Sequence, residues 1–217
     1  MGIIVRTCET CGKVLAEMSD DLNDDEIYFH KDCGCFRKQR TERMLGKFAG
    51  IELKAIVPRG TKQDIILKTI LADSEKPRIF YGKPGTGKTH FMAGVFNHIA
   101  EKNFMEMTWY SARGLMSSLR NAELNEDGAI FYMQSIFQKC KYFFIDDIDK
   151  IKPTEFNLDM LFDFMDAVDK QKVNLYLTTN LTMQELATHF TSGTNASYGA
   201  SIVRRIDISC RLVDFNN

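Results

Sequence analysis

One eight-residue segment constrains this chain more than any other. It is GKPGTGKT, from Gly82 to Thr89, and it fits the pattern G-x-x-x-x-G-K-[ST] at every position. A short apolar run, RIFY, precedes it, and a pattern typical of a helix follows from Lys88 to about Lys102. Glycines let the backbone curl so that successive N–H groups point inward, and the helix adds the positive end of its dipole. The segment therefore predicts a phosphate-binding loop between a strand and a helix.

Two side chains of this loop have predicted chemical roles. The Lys88 ammonium reaches the β- and γ-phosphates of a bound nucleotide such as ATP, and the Thr89 hydroxyl ligates Mg²⁺. A glycine-rich turn that matches the pattern by chance is the plainer interpretation, but the strand–loop–helix context disfavours it. The predicted nucleotide-binding residues are Gly82, Lys83, Pro84, Gly85, Thr86, Gly87, Lys88, Thr89 and His90.

An apolar run that ends in acidic residues forms the second motif. In KYFFID, from Lys141 to Asp146, the residues between the first Lys and the last Asp are apolar. In phosphate-loop nucleoside triphosphatases the next strand over delivers an Asp to Mg²⁺, so Asp146 is the predicted ligand. Asp147 is then predicted to polarise the attacking water as a general base. A plainer role for an acid here is to cap the next helix, and Asp149 suits that role best.

A third polar strand end is Thr178-Thr179-Asn180. We expect it at the same side of the sheet as the other two motifs. A neutral amide there can hydrogen-bond the γ-phosphate or the attacking water, which makes Asn180 a predicted sensor. Without the other motifs it would be an ordinary residue of a strand-end turn.

The chain from Pro77 onward alternates strand and helix patterns. This alternation predicts an α/β fold with a five-stranded, mostly parallel sheet and helices on both faces. The Ser/Thr/Gly/Asn-rich segment 191–200 is expected to be a flexible loop. Two parts are predicted, residues 1–47 as a small element with a basic linker and residues 48–217 as the main domain. The predicted strands are 78–81, 105–111, 141–146, 173–180 and 208–215.

Charge and hydropathy exclude some classes of function. The formal net charge of the 217 residues is −1, so no global attraction to nucleic acid or membrane follows. No apolar run approaches the roughly 20 residues of a membrane span, which favours a cytoplasmic protein without a membrane partner. Nucleic-acid contact must come from a local patch, although a solvated helix face is the favoured interpretation of each one. The candidates are Arg113 and Arg120 with Trp109 and Tyr110, and the basic run Arg37–Arg43.

Four of the six cysteines form two close pairs near the start of the chain, Cys8-x-x-Cys11 and Cys33-x-Cys35. Four thiolates at this spacing predict a tetrahedral Zn²⁺ site, and the glycines after Cys11 and Cys33 suit its tight turns. His30 is a rival ligand, and reduced packing cysteines are the plain alternative. A zinc ion held by four thiolates has no open position for catalysis, so docking is the expected role.

The combined motifs resemble AAA+ ATPases, and more narrowly the DnaC/DnaI helicase loaders and the related IstB transposition helper ATPases. The matching segments are GKPGTGKTH, FFIDDID, LTTNL followed by QELATHF, IVRRI, and the cysteine element. The resemblance covers nearly the whole chain. It implies the AAA+ fold, four-cysteine rather than histidine zinc ligation, and an N-terminal element that contacts the replicative helicase.

The resemblance also implies an arginine finger on the helix before the last strand. Arg205 matches it best, with Arg204 as the neighbouring alternative. Such a finger reaches the ATP site of an adjacent subunit, so the active form would be an oligomer. The sequence departs from the family at Ser201, where many members have Arg. It ends at Asn217, directly after the fifth predicted strand, so no C-terminal lid is expected.

The resulting hypothesis is an ATPase that loads a DnaB-type helicase onto single-stranded DNA, with ATP ordering the assembly and hydrolysis releasing it. DNA or a partner is expected to stimulate ATP hydrolysis. One alternative is an IstB-like helper that acts on double-stranded DNA and a transposase. Another is a nucleotide-gated adaptor with little turnover. The sequence alone leaves the oligomer number and a cellular or phage origin open.

Overall fold

The computed structural model describes residues 3–18, 27–29, 34–124, 128–192 and 196–216. The chain divides into two compact units, Met1–Ala49 and Gly50–Asn217. In the first unit, β1 pairs antiparallel with β2, and β2 pairs antiparallel with β3. The elements of this unit are β1 (Ile3–Thr7), β2 (Val14–Met18), β3 (Ile27–Phe29) and α1 (Cys35–Leu45).

The second unit alternates helices and strands as the sequence predicted. Its strands are β4 (Arg78–Tyr81), β5 (Met107–Ser111), β6 (Tyr142–Asp146), β7 (Asn174–Thr179) and β8 (Arg211–Asp214). Its helices are α2 (Thr61–Ala72), α3 (Lys88–Asn103), α4 (Ala112–Glu123), α5 (Gly128–Phe137), α6 (Glu155–Gln171), α7 (Met183–Thr191) and α8 (Ala196–Ser209). None of the helices in the described ranges is long and apolar enough to cross a membrane.

The five strands of the second unit form one sheet in the order β5-β6-β7-β4-β8. Every neighbouring pair is parallel, which confirms the predicted sheet. The carboxyl ends of β4, β6 and β7 therefore lie at one edge, where ligands of open α/β sheets bind. One expectation was wrong: the acidic strand β6 is not next to β4, because β7 lies between them.

Alternating side chains of β6 explain why the sheet is covered on both faces. Phe143 packs against Phe137 and Phe164 of α5 and α6, at centroid distances of 5.6 and 5.0 Å. The next residue, Phe144, points to the other face and packs against Phe96 of α3 at 5.0 Å. Successive strand residues face opposite sides, so an uninterrupted apolar run is buried twice. The predicted helices on both faces are confirmed.

Two predicted boundaries near the end of the chain were wrong. The segment 191–200 is not all loop, because α8 begins at Ala196. The last strand is limited to Arg211–Asp214, because α8 continues to Ser209. Gly199 explains the first error: a Cβ there would lie 2.3 Å from the Phe190 carbonyl oxygen, at the end of α7. Gly199 thus allows α8 to pack closely against the end of α7, and it does not mark a flexible loop.

Candidate nucleotide-binding site

The predicted phosphate loop connects β4 to α3. Gly82, Gly85 and Gly87 have φ angles of +140°, +79° and +98°, in the region where glycine alone is free of strain. Gly87 is also the N-cap of α3, so the loop opens directly onto the first turn of that helix. The geometry is that of an anion-binding nest at a helix N-terminus. Of the other predicted residues, Lys83, Pro84 and His90 are exposed and Thr86 is half-buried.

Lys88 is buried beneath this loop, with 5% of its surface exposed. Its ammonium donates to the carbonyl oxygens of Gly82 at 2.7 Å and Lys83 at 2.9 Å, and to Asn180 Oδ1 at 3.0 Å. Burial lowers the pKa of Lys88, and the carboxylates of the site oppose that effect. The structure thus brings together the predicted phosphate-binding lysine and the predicted sensor.

Two side-chain oxygens that could ligate a metal ion lie together at the start of α3. The Thr89 hydroxyl donates to Asp146 Oδ1 at 2.9 Å. Hydroxyl and carboxylate oxygens are hard donors of the kind that Mg²⁺ prefers. The donor set fits the predicted magnesium ligands, Thr89 and Asp146.

Thr178 on β7 holds both acidic residues that follow β6. Its hydroxyl donates to Asp146 Oδ1 at 2.6 Å and accepts from the backbone N–H of Asp147 at 2.7 Å. Asp147 has a φ of +58°, an uncommon conformation for a residue other than glycine. Burial, and then the carboxylates of Asp146 and Asp149, raise the pKa of Asp147. A raised carboxyl pKa suits a residue that takes up a proton.

Asp149 has a different role from the helix cap suggested by its sequence position. Its side chain accepts the backbone N–H of Asn180 at 3.0 Å and the Asn180 Nδ2 at 3.2 Å, and it pairs with Lys150 at 3.0 Å. Burial opposes ionisation, but these hydrogen bonds lower the pKa of Asp149 overall. The cap of α6 is Thr154, whose hydroxyl accepts from the N–H of Asn157.

Residues that do not belong to the phosphate-loop motif also hold the loop in place. Asn216 Oδ1 accepts from the Lys83 N–H at 3.0 Å, and Lys62 donates to Asp214 at 2.9 Å and to the Asn216 carbonyl. On the other side Gln63 Nε2 donates to the Thr86 carbonyl at 3.0 Å. The sequence reasoning missed these residues, since no local pattern marks a contact between segments so far apart in the chain.

The predicted finger residue, Arg205, is held within its own chain. Its guanidinium lies 3.5 Å from both Asp166 and Asp169 and 4.4 Å from the ring centroid of Phe162. One quarter of its side chain remains exposed. Arg204 is exposed and makes no hydrogen bond or ion pair with residues that the structure describes.

The residues predicted as candidates for nucleic-acid contact differ in how exposed their side chains are. Trp109 stacks on Phe144, and Tyr110 stacks on Phe143, at centroid distances of 5.8 and 5.5 Å. Both rings therefore pack within the domain and are poorly placed to stack on a base. Arg120 lies 5.1 Å from the ring centroid of Phe156 and near Asn157, whereas Arg113 is exposed. In the basic run, Arg37, Lys38 and Arg43 are exposed.

In the first unit, the thiols of Cys8, Cys11 and Cys35 lie within 4.8 Å of one another. Gly12 and Gly34, with φ of +70° and +80°, form the turns beside them. Tetrahedral zinc with bonds of about 2.3 Å separates its sulfur ligands by roughly 3.8 Å, so this set fits with little adjustment. The predicted fourth ligand Cys33 and its rival His30 lie outside the described residues.

The fold and the site define a phosphate-loop nucleotide-binding protein: a glycine-rich loop, a lysine, a threonine and an acidic strand end at the carboxyl edge of a parallel sheet. Residues 78–195 match the family described as ATPase family associated with various cellular activities (AAA). The chain belongs to that family. A comparison with curated proteins gives no significant match.

Solved structures share the fold. The DnaC helicase loader has a TM-score of 0.65 at 18% identity, over 78% of this chain and 98% of that one. DnaI has a TM-score of 0.65 at 18% identity, over 77% and 92%. AMPPCP-bound DnaA from Aquifex aeolicus has a TM-score of 0.60 at 16% identity, over 76% and 49%. At these identities the likeness defines the fold alone.

Proposed function

We propose that this protein is an ATPase that loads a DnaB-type replicative helicase onto single-stranded DNA. The observation that carries the ATPase part is the meeting of the phosphate loop with two polar strand ends. Lys88 touches Asn180, and Thr89 touches Asp146. Residues from three separate motifs are thus in direct contact, which supports a single site for the γ-phosphate.

In the proposed reaction, a water oxygen forms a bond to the γ-phosphorus while the bond to the β,γ-bridging oxygen breaks. Lys88 exchanges its loop carbonyls for phosphate oxygens. Asp147, whose carboxyl pKa is raised, accepts the proton of the attacking water. The second N–H of the Asn180 amide donates to the γ-phosphate or to that water. Thr89 and Asp146 would hold Mg²⁺, which neutralises charge that develops on the phosphates.

The helicase-loading part is supported by the likeness to the DnaC helicase loader and to DnaI. A fold shared with DnaA bound to AMPPCP and single-stranded DNA, at a TM-score of 0.58 and 17% identity, supports the DNA ligand. Exposed Arg113 and the basic helix α1 are the surfaces we assign to phosphate contact. The strands and loops of the first unit, Met1–Ala49, which we call the cysteine unit, are assigned to helicase docking.

A hydrolysis assay tests the ATPase proposal. Phosphate release is measured for wild type and Lys88→Ala, each with and without single-stranded DNA. Loss of the lysine removes the charge that holds the phosphates, so we expect wild-type release, raised by DNA, and background release from the variant. Equal background release from both proteins would show that the chain is not an ATPase and would favour a nucleotide-gated adaptor.

Coexpression pull-down tests the partner. We expect a DnaB-type helicase to be retained in the presence of ATP and lost when the cysteine unit is altered by Cys8→Ser with Cys11→Ser. A pull-down with the double-stranded DNA and transposase of an IstB-like system is the matched comparison. Retention of the transposase without the helicase would overturn helicase loading in favour of transposition.

Metal analysis tests the zinc site. We propose that Cys8, Cys11 and Cys35 hold Zn²⁺ with Cys33 as the fourth ligand. Freshly purified protein should contain about one equivalent of zinc, because a unit this small needs a bound metal to stabilise its fold. Cys140→Ser is the matched control, since that cysteine is buried in the second unit. Less than about half an equivalent in wild type would contradict the site.

A further inference from the structure

Asp149 is the most buried acidic side chain of the site and has no assigned part in the reaction. It lies in a single turn of 3-10 helix, Ile148–Lys150, that follows Asp147. The residue is 9% exposed. Burying a carboxylate is costly unless its oxygens are hydrogen-bonded, so the partners of this group show what it is for.

Two of those partners belong to one residue. Asp149 Oδ1 accepts the backbone N–H of Asn180 at 3.0 Å, and Oδ2 accepts the side-chain Nδ2 at 3.2 Å. An ionised carboxylate only accepts hydrogen bonds. It therefore fixes which end of the Asn180 amide faces it, and leaves Oδ1 of that amide toward Lys88 at 3.0 Å.

We infer that Asp149 is a positioning residue that sets the orientation of the Asn180 amide for hydrolysis. The inference rests on the proposed ATPase activity. Asp149 touches no reacting atom, and its effect passes through Asn180. An amide held at its backbone and its side chain by one carboxylate cannot rotate by half a turn. One Nδ2 proton is then always available to the γ-phosphate or the attacking water.

The alternative role, capping the helix that follows, is already filled. Thr154 caps α6 through its hydroxyl, five residues further along the chain. Lys150 pairs with Asp149 from the solvent side, with 46% of its own side chain exposed. The hydrogen bonds from Asn180 and the Lys150 ammonium together keep the carboxylate ionised, and Oδ2 contacts both Lys150 Nζ and Asn180 Nδ2.

The test compares Asp149→Asn, Asn180→Ala and the double variant in steady-state hydrolysis. Asparagine at 149 has nearly the same shape but turns a donor toward Asn180 Nδ2, so the amide loses its fixed orientation. We expect kcat to fall by about 10- to 100-fold, as for other outer partners of active-site groups, with little change in KM. In the Asn180→Ala background the same change should have no further effect on kcat.

Asp64→Asn is the matched control, since Asp64 is a helix-surface carboxylate whose side chain pairs with Lys68. Asp149→Ser replaces Asp149→Asn if the latter does not fold, as judged by its melting temperature. A wild-type kcat in the folded Asp149 variant would overturn the inference. The inference would also be overturned if the Asp149 substitution lowered kcat by the same factor in the wild-type and the Asn180→Ala backgrounds.

A spectroscopic readout separates this inference from the proposed function. In wild type the two Nδ2 protons of Asn180 should be separated in NMR shift by more than those of an unbonded primary amide, because one of them is bound to a carboxylate. This separation, assigned by the loss of both signals in Asn180→Ala, should fall toward the ordinary amide value in Asp149→Asn, so that the shifts converge, and should stay unchanged in Asp64→Asn. If wild type hydrolyses no ATP, the ATPase proposal fails but the converging shifts still support positioning. Unchanged shifts in Asp149→Asn would refute positioning even in an active enzyme.

Discussion

The hydroxyl of Thr178 accepts a 2.7 Å hydrogen bond from the backbone N–H of Asp147. The same hydroxyl donates to the carboxylate of Asp146 at 2.6 Å. One side chain of β7 therefore fixes the turn in which both acidic residues lie, including the left-handed conformation of Asp147. Thr178 on β7 thus supports the residues that end β6, and Asn180 directly follows β7, which lies between β4 and β6 in the sheet.

Thr178→Val should destabilise the protein although it keeps the volume of the side chain. It leaves the Asp147 N–H without its partner, and an unsatisfied buried donor costs about 1–3 kcal/mol. Urea denaturation of the nucleotide-free protein measures the change in the free energy of unfolding. Thr178→Ser, which keeps the hydroxyl, is the control and should lose less. Equal losses in both variants would mean that packing, rather than the hydrogen bond, is what matters at this position.

Gly82→Ala should cost more stability than Gly85→Ala. Both glycines have positive φ, and a left-handed conformation costs a residue with a Cβ about 1–2 kcal/mol. At Gly82 the added Cβ would also lie 3.0 Å from backbone atoms of Phe215 and Asn216, whereas at Gly85 it meets nothing within 4 Å. Overpacking adds about 1–3 kcal/mol.

Thermal and urea unfolding without nucleotide give this comparison directly, because the loop's ligand is then absent. Gly50→Ala is a control, since Gly50 has no positive φ and an added Cβ there contacts nothing within 4 Å. A Gly82 variant as stable as the Gly85 variant would show that the segment around Asn216 does not pack on the loop as described.

The parts of this site that could be predicted from the sequence are those that depend only on residues close together in the chain. The glycine spacing requires left-handed backbone, and the observed φ angles of Gly82, Gly85 and Gly87 have it. The apolar run before Asp146 requires burial on two faces, and β6 is buried on both. Such features need no knowledge of the sheet order.

The parts that could not be predicted depend on which strands and turns become neighbours. Asp149 was expected to cap a helix, but Pro153 disfavours helical structure in the residue before it. The helix α6 therefore starts at Glu155 with Thr154 as its cap, and the preceding turn directs Asp149 to Asn180 instead. The contact of Asn216 with Lys83 likewise follows from the pairing of β8 with β4.

Asp214→Asn should lower stability at neutral pH but not in acid. Burial opposes ionisation of Asp214, but hydrogen bonds from Lys62 and Asn216 hold its pKa below the ordinary value. Because the folded pKa lies below the unfolded one, the stabilisation is present above the unfolded pKa of about 3.9 and is lost as pH falls through the folded pKa.

With 38% of the Asp214 side chain exposed, solvent screening limits the effect at pH 7 to at most about 1 kcal/mol. Urea denaturation of wild type and variant at pH 7 and at about pH 2.5 measures it. Lys62→Gln should give a similar loss at pH 7, since it removes the other partner. A difference between wild type and Asp214→Asn that persists unchanged at the lower pH would contradict the ion pair.

Mixing experiments should show whether Arg205 completes the site of a neighbouring subunit. Arg205→Ala keeps its own phosphate loop but offers no finger, whereas Lys88→Ala offers the finger but has no working site. Each protein alone should be inactive. In an equimolar mixture about a quarter of the subunit contacts combine a working site with a finger, so part of the activity should return.

Arg204→Ala is the matched variant, because Arg204 is the exposed neighbour on α8 while Arg205 contacts Asp166 and Asp169 of its own chain. Restored activity with Arg205→Ala, and a largely active Arg204→Ala protein on its own, would support Arg205 as the finger. If Arg204→Ala is the inactive variant that Lys88→Ala rescues, the roles are reversed, and the ion pairs of Arg205 serve to anchor α8 against α6. If neither mixture regains activity while both arginine variants stay folded, the finger does not act between subunits, and the proposed oligomeric site is wrong.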